Sequence, residues 1–159
     1  MELALYRSEN LDTVTRIFVS AFTAPPLVHD FLNQENARRY IEDIAKSPGF
    51  LGYVFSDRGK ACAFALGAVD NYFEGTIYQI KEFAVDGKQH RSGIGSTAMQ
   101  LLEEKMAQLG VDAISLNTSR NLPAFAFYKK NGYETLEENV AMVKILEPRK
   151  NETLKELGT

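Results

Sequence analysis

A chain of 159 residues with 45% hydrophobic side chains is the size of one domain with one continuous core. Its formal net charge of -3 carries no basic excess, which argues against a nucleic-acid backbone as the main partner. With Cys62 as the only cysteine, an intramolecular disulfide and a cysteine-only metal site are both excluded, and neither Met1 to Arg7 nor any longer window has the apolar character of a leader or a membrane span, so a reducing, cytoplasmic setting is expected.

Leu3 to Arg7 reads as a first strand. Asn10 is placed to cap a helix through Thr23 whose Leu11, Val14, Ile17, Phe18 and Phe22 share one face, and Pro25-Pro26 stops it. A second helix over about Phe31 to Lys46 carries Tyr40, Ile41, Ile44 and Ala45 at helical spacing and ends at Ser47-Pro48-Gly49. Phe50 to Ser56 and Ala61 to Val69 are β-rich runs joined by Asp57-Arg58-Gly59-Lys60, a hairpin signal; Cys62 falls inside the second run and reads as core, not as a nucleophile. Thr76 to Val85 continues the meander.

The period then becomes helical from Gly93 to Leu109, with Ile94, Ala98, Leu101, Leu102, Met106 and Leu109 on one stripe and Gly110 as a stop. Ala113 to Asn117 is a short strand, Pro123 to Lys130 a helix ended by Asn131-Gly132, and Tyr133 to Leu146 a strand pair around Glu138-Asn139. The domain is expected over 1–146, with 147–159 a polar tail. The order β-α-α-β-β-β-α-β-α-β-β implies an α/β fold with a mixed sheet and helices on both faces.

The most informative local pattern is a strand ending at Val85, a connection from Asp86 to Ser92, and Gly93-x-Gly95 opening a helix. Backbone N–H groups at a helix start have no intrahelical acceptor and sit at the positive end of the dipole, and glycines let a phosphate approach. Arg91 adds a cation and Ser96 a hydroxyl. A tight turn with no ligand is the plainer alternative. A dinucleotide-binding fold is opposed by the seven residues between Val85 and Gly93, by Asp112 preceding the next strand, and by the short remaining chain.

Taken together, Lys81-Glu82-Phe83-Ala84-Val85, His90-Arg91-Ser92-Gly93-Ile94-Gly95-Ser96 and Asn121-Leu122-Pro123-Ala124-Phe125-Ala126-Phe127-Tyr128-Lys129-Lys130-Asn131-Gly132-Tyr133 resemble the GNAT family of N-acetyltransferases. His90 stands where that family usually has Gln or Arg; the Asn121 to Tyr133 motif is met at every position that defines it. The resemblance implies acetyl-coenzyme A as co-substrate and no metal. Its pyrophosphate would lie on His90, Arg91, Ser92, Gly93, Ile94, Gly95 and Ser96, and the strand ending at Val85 would bulge and splay from the strand ending near Asn117, leaving a wedge for its pantetheine arm. Backbone groups of Phe83, Ala84 and Val85 would meet the arm and the acetyl carbonyl, and the Asn121 side chain would touch the cofactor.

An alkyl amine with a pKa of about 10.4 is mostly protonated at pH 7, so using it as a nucleophile costs roughly 4 to 5 kcal/mol. Glu82, bordering that wedge, is the candidate general base through a water; the simpler alternative is a solvent-facing carboxylate paired with Lys81 or Lys88. Tyr128 matches the family's general acid, the alternative being a core aromatic. Phe125, Phe127, Tyr133, Met99 and Met106 read as packing, and His29 and His90 are too few for a metal site.

The acceptor is expected to be a primary amine of a small molecule or a peptide, bound by the first two helices, Pro25-Pro26 and the Asn71 to Gly75 loop. Asp30, Glu35, Asp70, Glu74, Glu137 and Glu138 would favour a cation if they converge, and are otherwise ordinary acidic surface. No nucleic acid or membrane is expected as a partner, and a homodimer is left open. An acetyl-CoA-binding regulatory module without turnover is the alternative function; thiol release with an amine panel separates the two.

Overall fold

The computed structural model describes residues 1–23, 29, 32–89 and 92–144. In chain order these form β1 (Glu2–Leu5), a short 3-10 turn, α1 (Leu11–Phe22), α2 (Gln34–Ala45), β2 (Phe50–Asp57), β3 (Lys60–Tyr72), β4 (Gly75–Val85), α3 (Ile94–Gln108), β5 (Ala113–Leu116) and α4 (Pro123–Lys130). The sheet runs β1-β2-β3-β4-β5, antiparallel up to β4 and parallel between β4 and β5. That switch follows from connection type, since a hairpin returns the chain antiparallel while the α3 crossover returns it parallel. The β2–β3 hairpin closes on Arg58 and Gly59, whose φ of 50° and 75° match the right-handed twist of the flanking strands.

Period-two alternation gives the sheet two apolar faces. Val54, Phe64, Leu66 and Ala84 point toward α1 and α2, where they meet Val14, Ile17, Phe18, Ile41 and Ile44. Tyr53, Phe55, Ala63, Ala65, Tyr78 and Ile80 point the other way, onto Ala98, Met99, Leu102 and Met106 of α3. β3, central in the sheet, is buried on both faces from Cys62 to Ala68. Cys62 and its neighbour Ala63 share the α3 face because the β2–β3 register slips between Phe55 and Ser56, and the Cys62 thiol donates to the Phe55 carbonyl at 3.4 Å. It is a core residue, as its sequence context indicates.

Two expectations change. Asn10 does sit at the start of α1, but its Oδ1 accepts from the Arg7 N–H at 2.8 Å, closing the preceding 3-10 turn instead of capping the helix. The strand pair expected over Tyr133 to Leu146 is not formed within the described part of that span: residues 133–144 contain no strand, and Leu136, Val140, Met142 and Val143 are exposed. Val140 to Val143 is β-prone, but β propensity expresses fit to a half-buried pleated surface, and among the described residues this run pairs with no strand. The tail over 147–159 and Pro25-Pro26 lie outside the described residues.

Candidate active site

The site is made where β4 outruns β5. The parallel ladder ends at Ile80↔Leu116, while β4 continues to Val85 with β3 alone at its side. The wedge inferred from the sequence is therefore a property of this sheet, opening at Lys81.

At the same place β4 carries an irregularity that no periodicity reveals. Leu66 pairs with Glu82 but the next β3 residue, Gly67, pairs with Ile80, so Lys81 is the extra residue of a bulge. In an unbroken strand Tyr78, Ile80 and Glu82 would all point to the α3 face. The inserted Lys81 moves Glu82 and Ala84 into phase with Leu66 and Phe64, toward α1 and α2, and puts Phe83 and Val85 on the α3 side. Glu82 therefore reaches α2, where its Oε1 accepts from the Tyr40 hydroxyl at 2.6 Å. The alternative of a solvent carboxylate paired with lysine is not what forms: its partner is a tyrosine. Burial pushes the Glu82 carboxyl above the usual carboxylate range, although the Tyr40 hydrogen bond works in the opposite direction.

Tyr128 comes from the end of α4 and is held by aromatic packing. Phe83 stacks on Phe127 at 5.9 Å between centroids, Phe127 meets Tyr128 edge-on at 5.2 Å, and Tyr128 meets Tyr133 edge-on at 5.5 Å. Tyr133 in turn donates to Met99 Sδ at 3.2 Å. Burial first, and then the negative charge of Glu82, push the Tyr128 phenol up to about 12. Glu82 and Tyr128 thus sense each other across the opening, and Tyr128 stays protonated at neutral pH.

The third part is the start of α3. Gly93 is its N-cap at φ 82°, a conformation that glycine takes without the steric cost of a Cβ, and the space around it is open. No side chain caps this end and no acidic residue lies in the first turn, so Ile94, Gly95 and Ser96 turn their amides to an uncapped, electropositive helix end. Gly95 is small for another reason: a Cβ there would lie 3.1 Å from the Phe127 ring. Ser92 spends its hydroxyl on the Gln89 carbonyl at 2.6 Å, which closes the loop. Asn121 is exposed just ahead of α4, and His90 and Arg91 lie outside the described residues.

Asp86 and its partners carry no motif that singles them out in the sequence. Buried at the end of β4, Asp86 accepts from Arg16 at 2.6 Å and Ser20 at 2.8 Å, both on α1, and from the Lys88 N–H at 3.2 Å, while Ser20 Oγ also accepts from the Gly87 N–H at 3.1 Å. Burial works to raise the Asp86 carboxyl, but these donors hold it below the usual range. The network pins the loop leading to α3 onto α1. Its trace in the sequence is Arg16 and Ser20, polar residues four apart and so on one face of α1.

Among the described residues, four of the acidic residues expected around the acceptor are paired with arginines or lie away from Glu82. Glu35 pairs with Arg39, Glu137 pairs with Arg120, and Asp30 is outside the described residues. Asp70 pairs with Ile77 and Glu74 lies in the β3–β4 turn, so at about 3.3 Å per residue they are roughly 16 Å and 23 Å or more along β4 from Glu82. The Asn71 to Gly75 loop is therefore at the opposite end of β4 from Glu82. Asp112 has a structural task at that end, its Oδ2 accepting from the Thr76 N–H at 2.7 Å. Among the described residues there is no group of three or more His, Cys, Asp or Glu able to hold a metal, and no helix long and apolar enough to cross a membrane.

The site thus combines a split mixed sheet with helices on both faces, an uncapped helix start beside the split, and a glutamate and a tyrosine near it. The sequence profile of the acetyltransferase (GNAT) family matches residues 11–133, and the chain belongs to that family, whose chemistry is acetyl transfer. Solved structures agree on the fold. A possible acetyltransferase from Clostridium difficile superposes with a TM-score of 0.74 at 14% identity, covering 92% of this chain and 98% of that one. A GNAT family acetyltransferase from Staphylococcus aureus gives 0.65 at 15% identity, covering 91% and 98%. An aminoglycoside antibiotic 6'-N-acetyltransferase from Acinetobacter haemolyticus gives 0.67 at 12% identity, covering 92% and 100%. No curated protein matches the chain.

Proposed function

We propose that this acetyltransferase moves an acetyl group from acetyl-coenzyme A to a primary amine of a small molecule or peptide, by direct transfer. The observation that carries the reading is the bulge at Lys81, which turns Glu82, beside the split between β4 and β5, onto the α2 face, while Tyr128 of α4 lies close enough to feel its charge. When bound, acetyl-coenzyme A supplies an activated thioester. The amides of Gly93, Ile94, Gly95 and Ser96 suit its pyrophosphate, with His90, Arg91 and Ser92 in the loop before them; the backbone of Phe83, Ala84 and Val85 borders the arm, and Asn121 adds a side-chain contact.

Glu82 takes the proton of the ammonium form of the acceptor through a water, and its raised proton affinity brings it closer to the task than a solvated carboxylate. Tyr128 keeps its proton at neutral pH and delivers it from Oη to the departing sulfur. The single cysteine is buried in the core, which supports transfer without an acyl-enzyme on a thiol. Solved neighbours include enzymes named for aminoglycosides, so the amine panel should run from aminoglycosides and polyamines to peptide amines.

Thiol release from acetyl-coenzyme A in the presence of that panel tests the activity, with calorimetry for cofactor affinity. Glu82→Gln should lower kcat by about 10²-fold and remove the acidic limb of the pH profile; Tyr128→Phe should lower kcat about tenfold or more. Cofactor affinity should be unchanged in both. Wild-type rates in either variant would remove that residue from the mechanism, and binding without thiol release across the panel would favour a regulatory module.

A further inference from the structure

We infer that Tyr40 is the positioning residue of the site: its hydroxyl holds Glu82 Oε1 and leaves Oε2 as the atom that accepts the proton. This rests on the reading of Glu82 as the base. Tyr40 lies on α2, and its hydroxyl donates to Glu82 Oε1 at 2.6 Å, within the range of a hydrogen bond to a carboxylate. The ring is fixed from below by Phe18 of α1 at 5.8 Å, and Phe18 packs in turn on Phe22 at 4.6 Å and on Phe64 of β3 at 6.3 Å. Tyr40 is 43% exposed, so it stands between the Glu82 carboxylate and solvent.

The groups acting on Glu82 can be assigned by element. From α2 comes Tyr40 and from α4 comes Tyr128. The β3 residue opposite is Leu66, Lys81 beside it is exposed, and the α1 cation Arg16 is committed to Asp86. Tyr40 itself cannot serve as the base, because burial and the Glu82 charge hold its phenol far above the ordinary tyrosine value. It remains a donor throughout and so favours the carboxylate over the carboxylic acid, opposing the burial that favours the acid. A base left to burial alone would be protonated at a higher pH. Tyr40 thus sets how far down in pH the site keeps its proton acceptor, and fixes which carboxylate lone pairs face the incoming amine.

Tyr40→Phe keeps the ring and removes the donor. Losing one hydrogen bond to a charged group should move the titration midpoint of Glu82, read by carbon NMR of the carboxyl in the free protein, up by about one pH unit. The acidic limb of kcat/KM should move up by the same amount, with the high-pH plateau within about threefold of wild type. An unmoved NMR midpoint overturns the assignment of Tyr40. If the midpoint moves and the limb does not, the positioning by Tyr40 stands and Glu82 is not the base; a limb that survives in Glu82→Gln likewise excludes Glu82 as the base.

Discussion

The two halves of β4 differ more from each other than either does from its neighbours. From Ile77 to Ile80 the strand is paired on both edges and sends Tyr78 and Ile80 into the α3 core. Past Lys81 it is flanked by β3 alone on its ladder, its phase is reversed, and it carries a carboxylate where regular alternation would bury an apolar side chain. The first half derives its order from the sheet. The second uses that order to hold groups in a gap, which places a polar residue against a core without giving up the core.

The comparison breaks most severely if the carboxylate is moved to the other face. Exchanging Glu82 and Phe83 should put the carboxylate on the α3 side and lower turnover by about a thousandfold, or about 4 kcal/mol of barrier, in a protein whose circular dichroism is retained. Activity near wild type in that variant would show that the bulge is incidental. Tyr78→Ala strikes the other half: it removes a fully buried ring and its 2.8 Å bond to the Leu51 carbonyl, and should cost about 3 kcal/mol or more in urea unfolding while leaving the acidic limb of the folded enzyme in place.

Asp86→Asn tests the clamp at the end of β4 and should cost about 1 to 2 kcal/mol at pH 7, Arg16 being partly exposed. The sign with pH is definite. A carboxyl held below its unfolded value stabilises the fold above about pH 4 and loses that contribution as pH falls through its folded value, so the gap between wild type and variant should close on acidification. A gap independent of pH would mean that Asp86 acts by packing alone. The smallest effect is expected for Gly93→Ala, about 1 kcal/mol of backbone strain at φ 82° with no steric clash, read by thermal unfolding.

Much of this arrangement is legible in the sequence because its signals are local. α3 and α4 are bounded by glycine, proline and a helical period, and the two motifs that border the site lie within or beside those helices. What escapes a reading of the sequence is not local. Tyr40 reads as one more apolar position of α2, and only the fold brings it to a glutamate 42 positions away. A bulge in the strand ending at Val85 is implied by the family resemblance, but its place at Lys81 is not legible because it alters phase without altering composition, and Asp86 looks like loop polarity until α1 is set against it. Val140 to Val143 misleads in the other direction, since a β-prone run is a strand only when another strand accepts it.

Gly95 has a consequence that extends beyond its own loop. With 3.1 Å between its missing Cβ and the Phe127 ring, the cradle at the start of α3 and the helix bearing Tyr128 are in van der Waals register. A bulkier residue at 95 would require a smaller ring at 127, and a smaller ring would loosen the stack that holds Tyr128. The two stretches that look like separate inheritances along the chain are one mechanical part in space, and neither can be re-engineered without refitting the other.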